Sequence, residues 1–270
     1  MFSFKQFTVS DQGATMKVGT DAVLLATLAS PDKPPASILD VGTGCGVIAL
    51  ILAQRFEHAQ IMAIDIDGPS VHIASENFER SPWSQRLSAH QCSLQQLARN
   101  TGDNANTTTS EHAHPRFANS IPSSSFDMIV SNPPYFSHSL KNDDPRKRLA
   151  RHDDQLPLEA LFADTRQLLK PRGTLSLILP FEQHDHTLQT AQILGWTLHH
   201  WTTIHNQPSS PAKRAVYNFV VQSDRASSEV LPTPHALHMR DADNSYSEAY
   251  YQLTSPYYLW RDHAKDGHTD

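Results

Sequence analysis

The stretch Asp40-Val-Gly-Thr-Gly-Cys-Gly46 constrains this chain more than any other. It stands between Ser37-Ile-Leu-Asp-Val, an apolar run typical of a buried strand, and Val47-Ile-Ala-Leu-Ile-Leu-Ala-Gln-Arg, an almost wholly apolar helix pattern. Glycines at 42, 44 and 46 omit the Cβ where a strand turns sharply into a helix, so the backbone can approach a ligand closely. Gln60-Ile-Met-Ala-Ile-Asp65 reads as the next strand, and Asp67 caps a helix that carries Pro69 in its first turn and runs toward Arg80. Further strands are expected at Arg86 to Gln91, Phe126 to Ser131, Thr174 to Leu179, Trp196 to Ile204 and Arg214 to Val221, with a helix at Leu158 to Leu169. Strands alternating with helices predict a mostly parallel sheet covered on both faces.

Composition narrows the class. At 39% hydrophobic, 270 residues can build a real core, and no apolar stretch approaches the eighteen or so residues of a membrane span. The opening Met1-Phe-Ser-Phe-Lys-Gln-Phe-Thr-Val-Ser alternates apolar with polar residues and lacks a secretory block, so the chain is expected to stay in the cytoplasm. Cys45 and Cys92 are too few for a disulfide scaffold or a Cys-based zinc site. The 16 histidines include the pairs His184/His186 and His199/His200, which fit no metal-ligand frame and read as surface residues. A net charge of -6 excludes a uniformly basic nucleic-acid binder and allows a local basic patch. Asn100 to Ser125, rich in Asn, Thr, Ser, His and Pro, reads as a long loop inserted between strands. Ser247 to Leu253 is an amphipathic stretch in an otherwise polar tail.

Asp65 ends the second strand about 20 residues after the glycine loop, where a carboxylate can accept hydrogen bonds from both ribose hydroxyls of an adenosine. Val47 stands where a pyrophosphate loop needs glycine, and no Gly-Lys-Ser/Thr follows, so a phosphate cradle is disfavoured. A second constellation, Ser131-Asn-Pro-Pro-Tyr-Phe136, follows the strand Phe126 to Val130, at the carboxyl edge where open α/β sheets bind ligands. An Asn carbonyl and the backbone carbonyl of the next proline can each accept one N–H of a planar amine, letting its nitrogen pyramidalise toward an electrophile. Tyr135 then offers an aromatic face to an extruded base.

With these residues in order, the chain resembles the class I S-adenosylmethionine-dependent methyltransferases, and Asn132-Pro-Pro-Tyr135 matches the tetrapeptide of their amino-group N-methylating branch. Phe4-Lys-Gln-Phe7, Met16-Lys-Val-Gly-Thr-Asp21, Arg151-His152 and Lys213-Arg214 narrow the resemblance to the tRNA(Val) adenine-37 N6-methyltransferase family, over residues 4 to about 260. That resemblance implies a Rossmann-like, seven-stranded, mostly parallel sheet with its last strand antiparallel. It implies an N-terminal extension at 1–36 packing near the cofactor, a methyltransferase domain at 37–222 and a C-terminal extension of the same domain at 223–270. S-adenosylmethionine is the implied cofactor, held by Lys17, Thr20, Asp40, Gly42, Gly44, Gly46, Asp65, Ile66, Ser93 and Asn132; many relatives carry an acidic residue where this chain has Ser93. Asn132, Pro133, Pro134 and Tyr135 are the implied catalytic set, with no metal, acting on an adenine flipped from a single-stranded tRNA anticodon loop.

Phe136, Arg146, Arg148, Arg151 and His152 lie just beyond that set and Lys213-Arg214 ahead of the last expected strand. These residues either meet RNA phosphates or form a solvated charged surface, the acids at 143, 144, 153 and 154 keeping the second reading open. Methylation of a protein glutamine amide or of another rRNA or DNA amine presents the same lone-pair problem. A non-catalytic RNA-binding protein on the same scaffold is the reading of a different class.

Overall fold

The computed structural model describes residues 1–12, 17–100, 124–133, 156–221 and 232–260. Phe2–Ser3 (β1) and Thr8–Val9 (β2) form a short antiparallel hairpin, followed by the helix Thr20–Leu28 (α1). The chain continues through Ser37–Val41 (β3), Val47–Arg55 (α2), Gln60–Asp65 (β4), Gly68–Glu79 (α3), Leu87–Gln91 (β5), Leu94–Arg99 (α4) and Phe126–Ser131 (β6). Leu158–Leu168 (α5), Leu169–Pro180 (β7), His184–Ile193 (α6), Trp196–His205 (β8), Ala212–Val221 (β9), His235–His238 (β10) and Glu248–Thr254 (α7) complete the described elements.

The main sheet runs in the order β10-β8-β9-β7-β6-β3-β4-β5. β9 is antiparallel to both its neighbours and all other pairs are parallel, so the last of the seven expected strands is reversed as the resemblance implied. The count needs one correction: β10 makes the sheet eight-stranded, pairing His235 with Thr202 through His238 with His205. His-Ala-Leu-His is too short and polar to announce a strand; the unpaired backbone edge of β8 is what orders it.

Both faces of the central strands are apolar, as burial under helices on each side requires. Ile38, Ile61, Met128, Ile178 and Val216 pack toward α1, α2 and α3, whereas Leu39, Ile64, Ile129, Leu177 and Phe219 pack toward α4, α5 and α6. α1 escaped the sequence reading because Thr20-Asp-Ala-Val-Leu-Leu-Ala-Thr-Leu is apolar nearly all round and Ala22 to Thr27 are all buried, leaving no polar face to mark a helical period. The Asp67 cap is present, its side chain accepting from the Ser70 amide at 2.9 Å. Two histidine assignments change. His186 and His199 are exposed, but His184 is half-buried, stacked on Trp201 at 4.6 Å with Nδ1 3.0 Å from the Tyr217 hydroxyl, and His200 is half-buried as well.

At the amino edge of the sheet Asp127 Oδ2 accepts from the Ala36 and Ser37 amides at 3.0 and 2.9 Å and from the Ser37 hydroxyl at 2.9 Å, and it pairs with Lys170 at 3.0 Å. On the α1 side a seam joins distant segments: Phe4 bridges Tyr258, the Lys5 amide donates to the Tyr257 carbonyl at 2.7 Å, and the Phe4 ring stacks on Phe7 and Tyr258 at 4.5 and 5.7 Å. Among the described residues no helix is long and apolar enough to cross a membrane, and no group of three or more His, Cys, Asp or Glu could hold a metal. The expected loop at 100–125 falls almost wholly outside the described residues.

Candidate active site

Parallel strands place the turns after β3, β4, β5 and β6 on one edge of the sheet. Gly42, Gly44 and Gly46 all have positive φ, at 73°, 55° and 83°. The turn they form is pinned to β4 by the Gly42 and Thr43 amides, which donate to the Ile64 carbonyl at 2.9 and 3.1 Å. Their roles differ. A Cβ at Gly42 or Gly44 would meet nothing within 4 Å, whereas one at Gly46 would lie 2.5 Å from the Phe78 ring and 3.3 Å from Ala74. The first two glycines leave the mouth of the turn open, and the third lets α2 start against α3.

Asp65 completes the turn. Its Oδ2 accepts from the Gly44 amide at 2.8 Å and its Oδ1 from the Asp67 amide at 3.0 Å, leaving lone pairs on both oxygens for further donors. Burial and the nearby Asp67 charge raise its carboxyl above the ordinary value, against the backbone amides that favour the ionised form. Ile66 beside it is 47% exposed, a large apolar side chain offering a platform for a flat ring.

Asp40, in the last turn of strand before Gly42, is fully buried. Its Oδ2 accepts from the Thr43 hydroxyl at 2.6 Å, and its Oδ1 has no partner among the described residues. Burial, reinforced by Asp65 and opposed by Thr43, pushes its carboxyl up to about 7. A buried, half-paired carboxyl under an open turn fits a cationic donor, as the α-ammonium of an amino-acid moiety supplies. With Asp65 for ribose hydroxyls and Ile66 for a purine, this donor set matches the three parts of S-adenosylmethionine. Ser93 is the N-cap of α4: its hydroxyl accepts from the Gln96 amide at 3.1 Å while Gln96 Oε1 accepts from the Ser93 amide at 3.0 Å. That capping box commits the side chain to starting the helix.

Ser131 pairs with Val41 across β6 and β3, and its hydroxyl donates to the Val41 carbonyl at 2.9 Å. Asn132 and Gly42 therefore leave neighbouring strands at the same level, about 4.8 Å apart by sheet geometry. Asn132 is half-buried and Pro133 buried. Pro134, Tyr135, Phe136, Arg146, Arg148, Arg151 and His152 lie outside the described residues. Lys17 is exposed. Thr20 lines a cleft with Lys213 and Arg214, beyond β7. Arg214 Nε donates to Asp21 Oδ2 at 3.0 Å.

Asn77 was missed by the sequence reading. Only 1% exposed, it donates to the Cys45 carbonyl at 2.8 Å and the Ser10 carbonyl at 2.9 Å and accepts from the Ser10 amide, tying the glycine turn and the N-terminal segment to α3. An amide on the buried face of an otherwise amphipathic helix is the signal that could have found it.

The model of the family described as ribosomal protein L11 methyltransferase matches residues 15–132, less than half of the chain and confined to the glycine turn and the strands around it. Full-length relatives reach further. A protein of Bacteroides fragilis named tRNA1(Val) (adenine(37)-N6)-methyltransferase is 36% identical over 96% of this chain and 97% of its own length. Proteins of the same name from Flavobacterium psychrophilum and Vibrio vulnificus are each 33% identical over 96% of this chain, covering 99% and 95% of their own lengths. The chain belongs to this family. Identity over nearly the whole of each chain takes in the tRNA1(Val) (adenine(37)-N6)-methyltransferase segments beyond residue 132, which the L11 model leaves out. A crystal structure described as a predicted O-methyltransferase from Agrobacterium tumefaciens, 18% identical, superposes with a TM-score of 0.63 over 90% of this chain and all of that one, so the fold is that of the methyltransferases.

Proposed function

We propose that this protein transfers a methyl group from S-adenosylmethionine to the exocyclic N6 of adenine 37 in tRNA1(Val), the activity for which its family is named. The observation that carries this reading is the level placement of Asn132 at the end of β6 beside the glycine turn of β3. When bound, S-adenosylmethionine supplies an electrophilic methyl on a sulfonium. Asp40 would hold its ammonium, Asp65 its ribose, and Ile66 its adenine.

The adenine amine is a weak nucleophile because its lone pair is delocalised into the ring. The Asn132 carbonyl and the Pro133 backbone carbonyl accept one N–H each, which localises the lone pair on nitrogen and aims it across the narrow gap toward the turn. Proline fixes its own φ, so the direction of that backbone carbonyl does not drift. Tyr135 stacks on the base after it leaves the anticodon loop. The amine nitrogen so held would take the methyl that the sulfonium supplies, the thioether leaving as the new bond forms, and the nitrogen's proton would pass to water. The same reading treats the chain as one methyltransferase domain, with residues 1–36 and 223–270 as its extensions, working in the cytoplasm on tRNA.

The test is to incubate the purified protein with methyl-labelled S-adenosylmethionine and, separately, unmodified tRNA, rRNA, DNA and a glutamine-containing peptide. Label in tRNA, located by nucleoside mass spectrometry as N6-methyladenosine at position 37, is the expected result. Label entering protein and never RNA overturns the proposal in favour of the amide reading.

A further inference from the structure

We infer that the cleft beyond β7 on the same edge of the sheet seats the nucleotide next to the target adenine, with Lys213 on its phosphate and Asn206 on its base. The inference deepens the proposed function and rests on it. The cleft has a volume of about 260 Å³. That is below the roughly 300–1,000 Å³ of pockets that enclose a whole drug-sized ligand, and suits one flat ring with its sugar-phosphate edge.

Its lining is divided by chemistry. Leu24, Ile204 and Met239 form an apolar floor, the first two each 1% exposed, which matches the face of a base. Asn206, exposed beside that floor, carries an amide that can both donate to and accept from a base edge. Two cations and one anion stand at the mouth. Asp21 is taken by Arg214, so the pair contributes no net charge and braces the first turn of α1 against β9. Lys213 is exposed and has no ion pair among the described residues, which leaves the cleft with an excess positive charge on a chain of net charge -6. A polyanion repelled by the molecule as a whole is drawn to such a point.

The position along the edge fits a neighbouring nucleotide. Arg214 pairs with Pro180 on β7, Ser131 pairs with Leu177 on the same strand, and β9 lies two strands from β6. Two strand spacings are about 10 Å sideways. Two further residues of rise from the level of Asn132 to that of Arg214 add about 7 Å along the strands, so the mouth is roughly 12 Å from the amine-holding group. One or two unstacked nucleotides span such a gap, and an adenine turned out of its stack keeps its neighbours on a single strand. Adjacent in sequence, the two cations divide the work: Asp21 holds Arg214 as a brace on α1, and Lys213 is left for the phosphate.

The experiment measures fluorescence-anisotropy binding of a synthetic tRNA1(Val) anticodon stem-loop, without and with an abasic residue on either side of adenine 37, together with methyl transfer to the same RNAs. Lys213→Ala is expected to weaken RNA binding about tenfold and lower the slope of log affinity against log salt by about one, with S-adenosylmethionine affinity unchanged and Lys213→Arg restoring both. An abasic flank should weaken binding to the native protein but not to Asn206→Ala. Unchanged affinity and salt slope in Lys213→Ala overturn the inference even when methyl transfer proceeds, which separates its failure from that of the proposed function. Tight binding without transfer, with these differences intact, upholds the cleft and removes the proposed reaction; no RNA binding at all removes both.

Discussion

Gly46→Ala tests whether the three glycines of the turn do different work. At φ 83° the new side chain costs roughly 1–2 kcal/mol in backbone strain. Its Cβ would also stand 2.5 Å from Phe78, a ring 2% exposed and held in the α3 face, so relief requires moving a packed helix. Overpacking of this kind adds about 1–3 kcal/mol. Gly44→Ala carries the strain alone, since nothing lies within 4 Å of its Cβ. Thermal unfolding should therefore fall by about 2–8 °C for Gly44→Ala and two to three times as far for Gly46→Ala, taking about 2–4 °C per kcal/mol for a chain of this size. Isothermal titration should show the reverse emphasis, with Gly44→Ala abolishing S-adenosylmethionine binding while the fold persists. In a double-mutant cycle, Phe78→Leu should cost at least about 1 kcal/mol less when combined with Gly46→Ala than in the native protein. Equal melting temperatures for the two alanine variants, or no coupling with position 78, would refute the division.

Asn132→Ala should lower kcat by at least about a hundredfold with S-adenosylmethionine affinity within twofold of native, as single-turnover assays and calorimetry can check. Asp40 has its carboxyl raised to about 7, so its neutral form is the one the fold by itself favours: from this group, stability is greatest below about pH 4 and declines as pH climbs to about 7. Donor binding needs the ionised form, so affinity should drop below pH 7 by up to about tenfold per unit with proton release on binding, and Asp40→Asn should flatten both dependences. Asp127 behaves oppositely. Burial pushes its carboxyl up, but Lys170, Ser37 and the Ala36 and Ser37 amides together hold it below the ordinary value, so its contribution is present above about pH 4 and vanishes on acidification through that range. Asp127→Ala strands two backbone amides and should cost about 1–3 kcal/mol in urea unfolding at pH 7, with the loss shrinking as pH falls below about 4.

The parallel strands, the turn and the Asn-Pro-Pro-Tyr motif were legible because each is written in local chemistry: apolar runs, missing side chains, a fixed dihedral. Asp65 could be placed because strand length sets where a carboxylate ends. What stayed hidden depends on partners remote in the chain. Gly46 looks like Gly42 until Phe78, 32 residues away, is packed against it, and Asn77 acts only when Ser10 and Cys45 come within reach. β10 exists through a hydrogen-bond ladder its four residues do not encode. Thr20 and Asp21 share a cleft with Arg214 because α1 is seated by its buried leucines against α2 and β9, a placement that its own residues do not announce.

The seam between Phe4 and Tyr258 imposes an order on biogenesis. A nascent chain can assemble β3, β4 and the glycine turn early, yet the aromatic strip of Phe4 and Phe7 stays uncovered on that face until Tyr257 and Tyr258 have left the ribosome. Translation that stalls within the last few tens of residues thus yields a molecule with its sheet in place and a sticky flank, a substrate for chaperones and proteases rather than a half-active enzyme.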